Sequence, residues 1–175
     1  MNEAIRNMYE RRSVRKFDAE QVERNALLQV LDAGLHAPSA KNQQPWFFAA
    51  VQKEEGIAAI RKVCADACGF APDLDPFYAA PTVIVVFTDP SGADPVKDAS
   101  LAMQNMMLAA HSIGLGSCWV NCVKVGFLTE EGKAVSKAWG VPEGYIPVGS
   151  LALGKPAADY VPREKEIREK YVIVE

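Results

Sequence analysis

Four cations, Arg11, Arg12, Arg15 and Lys16, crowd around Ser13 in the stretch RRSVRKF of a chain whose net charge is -3. A solvated loop after a helix explains one or two of them, because cations are favoured near helix C-terminal carbonyls. Four cations flanking a serine hydroxyl suit a phosphate site as well, and spacing alone leaves both readings open. Guanidinium groups offer paired donors to phosphate oxygens, and a serine hydroxyl adds a neutral hydrogen bond. In an extended segment Arg11, Ser13 and Arg15 project to one side. The negative net charge leaves no surface-wide positive field, so the anion site is local and nucleic acid is not an expected partner.

HAPSAKNQQPWFF, from His36, sets hydroxyl and amide side chains in a proline-bounded loop just before an apolar run. Ser39 and Asn42 there serve turn chemistry, or form a polar edge able to read a heterocycle. Gly114-x-Gly116 lacks the third glycine of a dinucleotide fingerprint and follows a helix instead of a strand, so it reads as a helix stop. Neither His36 nor His111 has a nucleophile or carboxylate at useful spacing. Cys64, Cys68, Cys118 and Cys122 form two C-x3-C pairs. On helices each pair would share a face, but the spacing matches neither zinc nor iron–sulfur patterns, so free thiols and no metal are expected. With no acid, base or nucleophile in evidence, the chemistry is delegated to a cofactor, which suits a phosphate seat beside a heterocycle edge.

The elements that must position these groups follow from periodicity. Residues 2 to 10 read as a short helix. Asp18 and Gln21 resemble a capping box for a second helix ending near Gly34. WFFAAV (46 to 51) suits a buried strand, 54 to 67 a helix, and TVIVVFT (82 to 88) is the plainest strand. Asp94 and Pro95 open a long helix that is apolar around much of its circumference, so it is central to the domain or to a dimer. GLGSCWV begins a further buried segment, and Thr129 opens a helix stopping at Gly140 and Pro142. YIPVGSLALG and the terminal YVIVE read as strands, the last pairing in its own sheet or across to a second subunit. Helices and strands mix without βαβ alternation, which gives an α+β sandwich in one domain, residues 1 to 175. The absence of an apolar signal segment or of a run near ~18 apolar residues points to a cytoplasmic protein without membrane association.

In order along the chain, RRSVRKF, APSAKNQQPWFF, DASLAMQNMMLAAHSIGLGSCWV and GSLALGKP resemble the nitroreductase family. The resemblance implies a three-layer α/β/α sandwich, dimeric, with FMN at the subunit interface and NADH or NADPH as electron donor. By that resemblance Arg11, Arg12 and Ser13 hold the FMN phosphate and ribityl chain, and Arg15 lies beside the flavin N1 and C2 carbonyl. Pro38, Ser39, Ala40 and Asn42 reach the flavin from the opposite subunit. Cys118, Trp119, Val120 and Asn121 face the ring near N5, while Gly154, Lys155 and Arg163 lie on the phosphate side. Many larger members carry a proline and a glutamate near N5, where this chain has Trp119 and Asn121.

The implied activity is hydride transfer from NAD(P)H through the flavin to a small oxidised acceptor, a nitroaromatic or quinone, by a ping-pong mechanism. No side chain is itself catalytic in that scheme. The alternatives are a flavin store or regulator without turnover, and an interaction module whose arginines meet an acidic partner.

Overall fold

The computed structural model describes residues 1–168 and 170–174. Six α-helices and four strands follow one another along it in the order α1 (Glu3–Glu10), α2 (Arg24–Leu35), β1 (Trp46–Val51), α3 (Glu54–Cys68), β2 (Thr82–Thr88), α4 (Pro95–Ser112), β3 (Gly116–Val120), α5 (Val123–Gly126), α6 (Glu130–Ala138) and β4 (Ile146–Gly154). The strands form one sheet in the order β1-β2-β4-β3, antiparallel at each junction.

β2 is the keel of this arrangement. All seven of its residues are buried, and strand alternation sends them to two separate cores. Ile84 and Val86 join Val30, Met103 and Met106 beneath α2 and α4. Val83, Val85 and Phe87 join Ile60, Val63 and Phe127 beneath α3 and α5. Helices therefore cover both faces of the sheet. β4 is buried almost throughout its length and carries Pro147 beside a bulge, where a missing ladder donor is tolerated.

Several sequence expectations need correction. Asp18 and Gln21 form no capping box. Asp18 accepts from the Glu20 N–H, and Gln21 reaches Gln52, Thr82 and Pro81, so α2 begins later, at Arg24. Gln21 is instead engaged by the Gln52 and Pro81 carbonyls, far from it in sequence. WFFAAV is an edge strand and only Trp46 is fully buried. Asp94 sits at the N-cap of α4 without capping it, its carboxylate being taken by Lys97. Residues 171–174 form no strand in this chain and stand exposed, with Glu175 outside the described residues.

One contact fixes the second core. A Cβ on Gly132 would collide with the Gly126 carbonyl oxygen and lie 2.5 Å from the Phe127 Cα. Both obstacles are backbone, so they cannot turn aside. Gly132→Ala is expected to destabilise the fold by about 3 kcal/mol, read as a lowered denaturant midpoint at unchanged slope.

Among the described residues no helix is long and apolar enough to cross a membrane.

Candidate functional site

The basic segment is held in place by β3. Val14 donates its N–H to the Ser117 carbonyl, and Ser13 bridges Ser117 alongside the strand. The approach is close because residue 116 is glycine: a Cβ there would lie 2.6 Å from a Val14 methyl. From the other side the segment 155–160 runs antiparallel to it. Asp18 donates to the Lys155 carbonyl, Ala157 to the Lys16 carbonyl, and the Tyr160 hydroxyl to the Ser13 carbonyl at 2.7 Å. Nothing in the spacing of Tyr160 signalled this role, which exists only once the tail folds back.

The four cations then part company. Arg11, Arg12, Ser13 and Arg15 line a cleft of about 240 Å³ together with Arg163 and Lys165. Lys16 points away and pairs with Asp159. Arg12 gives one amine to the Tyr9 and Arg11 carbonyls, closing the end of α1 as the plain reading of a helix C-terminus allows. Arg11 is the exception: its Nη1 is buried and has no hydrogen-bond partner among the described residues. Burial, and then the neighbouring Arg12 charge, push this guanidinium below its ordinary range, with Cys118 opposing. A cation desolvated in this way lacks an anion.

Arg15 is more exposed, and Cys118 and a hydrogen bond from its guanidinium to the Tyr78 oxygen hold it above its usual range. Tyr78 has φ 59° in a turn organised by Asp75, whose carboxylate accepts from the Phe77 and Ala79 N–H groups. His111 lines an adjoining hollow of about 270 Å³ with Arg11 and Arg12. Burial pushes its pKa down, against Glu10 and assisted by both arginines, so it adds no charge at neutral pH.

β3 is the outer strand beside this cleft. The Ser117 carbonyl points outward to Val14, so two-residue alternation puts the Trp119 backbone on the same open edge. Cys118 turns inward, and burial raises its thiol pKa despite Arg15, Ser13 and Arg11 nearby. Trp119 packs against the α4 core and donates its indole N–H to the Asn121 side chain at 2.7 Å. Val120 lies against the opposite core.

Gly154 pairs with Gly116 at the end of the sheet nearest the arginines. Lys155 does not enter the cleft; its ammonium binds Glu20 at 2.6 Å.

The loop of Pro38, Ser39, Ala40 and Asn42 lies elsewhere. Ser39 Oγ accepts from the Gln44 N–H, and Ala40 donates to Asp98 in the first turn of α4. His111, beside the arginines, is in the last turn of that helix. At 1.5 Å per residue the two places are separated by about 20 Å along the axis. One chain does not bring loop and arginines together.

The Nitroreductase family model matches residues 8–155. A protein of Archaeoglobus fulgidus, provisionally named NADH dehydrogenase/NAD(P)H nitroreductase, is 33% identical over 161 residues, covering 89% of this chain and 87% of its own. A relative of the same provisional name from Methanothermobacter thermautotrophicus is 33% identical over 155 residues, covering 84% and 74%. A solved nitroreductase with bound FMN from Bacteroides fragilis has a TM-score of 0.94 at 30% identity, with 100% of both chains covered.

Proposed function

The chain belongs to the nitroreductase family, and from that premise we infer that it is an FMN-dependent NAD(P)H oxidoreductase whose flavin lies between two subunits. The buried, unpartnered Nη1 of Arg11 carries the reading. A phosphate suits that atom, since it is a dianionic acceptor for a desolvated guanidinium. Ser13 and Arg12 complete the seat from the same segment, and Arg163 lies across the cleft. Gly154 and Lys155 are not among the residues that line it, and the Lys155 side chain is spent on Glu20.

When bound, FMN supplies two-electron hydride chemistry between NADH or NADPH and an oxidised acceptor of the nitroaromatic or quinone class. The residues of this chain do the remaining work. Arg15 would supply a positive charge to offset the negative charge that reduction builds, and Cys118 to Asn121 at the open edge of β3 would help to hold the ring. Cys118 and His111 remain neutral, so protons come from water. Donor and acceptor take the same place in turn, which is a ping-pong sequence.

The subunit arrangement is argued from incompleteness. A cleft of about 240 Å³ is smaller than the ~300–1,000 Å³ of ligand pockets, and the 38–42 loop is out of reach at the far end of α4. No residue of α1 is buried, and Ile5, Met8 and Tyr9 stand exposed, as does Leu101 of α4. The outer edge of β1 is open, and Tyr171–Val174 present apolar side chains to solvent. A second copy covers these faces and delivers its loop. Helices on both faces of the sheet support a three-layer sandwich, built as one domain.

The purified protein should be yellow, bleach anaerobically with NADH or NADPH, and regain colour with a nitroaromatic or quinone. Colour that no pyridine nucleotide bleaches would make it a flavin store. Folded, dimeric, colourless protein that takes up no added FMN would end the reading. Arg15→Ala should lower the flavin midpoint potential by on the order of 30 mV, equivalent to ~1.4 kcal/mol for a two-electron couple; spectroelectrochemistry reads it directly.

A further inference from the structure

The loop that carries Ser39 and Asn42 is pinned from several sides. Ala40 donates its N–H to the Asp98 carboxylate at 3.0 Å, and Asp98 is only 3% exposed. Gln44 donates its N–H to Ser39 Oγ, and the Gln43 side-chain oxygen accepts from the Ala93 N–H at 2.8 Å. The Pro45 carbonyl accepts from the Asp89 N–H. The end of β2, the approach to α4 and the first turn of that helix therefore grip one short stretch.

Within it three residues other than glycine stand in the left-handed region: Lys41 at φ 54°, Asn42 at 55° and Gln44 at 48°. A β-carbon costs stability at such angles, where glycine sits freely. Two of the three are engaged by the fold. Asparagine tolerates this conformation, and Gln44 donates its side-chain amide to Asn42 Oδ1 at 3.0 Å. Lys41 is neither tolerant nor engaged. It is exposed, and its ammonium has no hydrogen bond or ion pair among the described residues, where it is also the one lysine at positive φ. Strain of this kind persists where surrounding contacts over-determine it, and it gathers at sites of function. A side chain that costs its own backbone stability and meets nothing in its own chain acts on something outside the chain.

We propose that Lys41 of one subunit is a specificity residue at the flavin of the other, where its ammonium grips an anionic oxygen group on the molecule stacked against the ring. The inference rests on the composite flavin site, in which the residues flanking Lys41 reach the ring from the opposite subunit. The flavin phosphate has its own guanidinium seat, so the charge on the loop is left for substrate. An ammonium on a four-carbon stem is a mobile point charge with three donors, suited to an anion whose position differs between substrates. Two sources offer that chemistry: the carboxylate of an acidic nitroaromatic or quinone, and the diphosphate of NADH or NADPH. Substrates bearing the anion are then preferred to neutral ones of the same shape.

The full-length flavoprotein is compared with Lys41→Asn and Lys41→Glu by stopped-flow spectroscopy of each half-reaction. Asparagine keeps the left-handed conformation and removes the charge, so FMN content and denaturant midpoint should hold. The oxidative arm sets 4-nitrobenzoate against neutral 4-nitrobenzamide. The reductive arm sets NADH against a neutral N-benzyl dihydronicotinamide. In at least one arm Lys41→Asn should slow the charged substrate about tenfold, the loss of one charge-assisted contact, and leave the neutral one within about twofold. Lys41→Glu should slow the charged substrate further. The arm that responds identifies the source of the anion. Should Lys41→Glu fail to fold, Lys41→Asn decides. Charged and neutral substrates changing alike in both arms, in protein that keeps its FMN and is bleached by NADH, would overturn the role of Lys41 alone. Native protein that takes up no FMN would overturn the flavin site, and this inference with it.

Discussion

Arg11→Ala is expected to weaken FMN binding by about tenfold to a hundredfold while leaving the fold intact. A hydrogen bond to a charged group is worth ~1.5–3 kcal/mol, and each ~1.4 kcal/mol is tenfold in affinity. The loss falls at the top of that range for Arg11 because its Nη1 is already out of water with no partner among the described residues. The desolvation cost is borne in the free protein, so the phosphate meets a donor that has nothing else to give up. Lys16→Ala is the control. Lys16 is as close in sequence, but its charge is spent on Asp159 at the exposed surface, where such pairs contribute ~0–1 kcal/mol. Its affinity should change by less than about twofold. Fluorescence titration of apoprotein with FMN reads both values. Equal losses in the two variants would mean that the segment acts only through net charge.

The contrast between these two residues marks what the sequence could and could not say. Four cations in RRSVRKF were plain, and so was the one-sided projection of Arg11, Ser13 and Arg15. That Arg12 would close α1 is a local matter of the Tyr9 and Arg11 carbonyls, but that Lys16 would be neutralised depended on a tail that returns from residue 155 to lie beside residue 16. The roles of Tyr160 and Tyr78 depend on the same kind of distant contact. Strands were legible where burial and periodicity agreed: TVIVVFT and YIPVGSLALG contain β2 and β4 because both interior strands are apolar on two faces. WFFAAV looked equally buried, but composition does not distinguish an interior strand from an edge that keeps apolar residues for another surface. The capping-box reading failed for a related reason. Asp18 and Gln21 had the right spacing, and a distant glutamine, Gln52, made a better partner.

A composite site makes a sharper demand than any single variant. Arg11→Ala empties the phosphate seat of a subunit, whereas Ala40→Glu sets a carboxylate into the loop that donates to Asp98, about 20 Å of helix away. If each flavin takes its arginines from one subunit and its loop from the other, both homodimers fail to retain FMN at concentrations that saturate the native protein. Refolding the two chains together in equal amounts changes the outcome. Half of the resulting twofold dimers are mixed, and each mixed dimer holds one site with native arginines and a native loop. About a quarter of the native FMN content and turnover should return, because one of two symmetry-related sites is restored in half the molecules. A site built within one chain predicts no recovery at all, since every subunit carries one lesion. The recovered fraction therefore separates the two arrangements without any reference to how tightly either variant binds on its own.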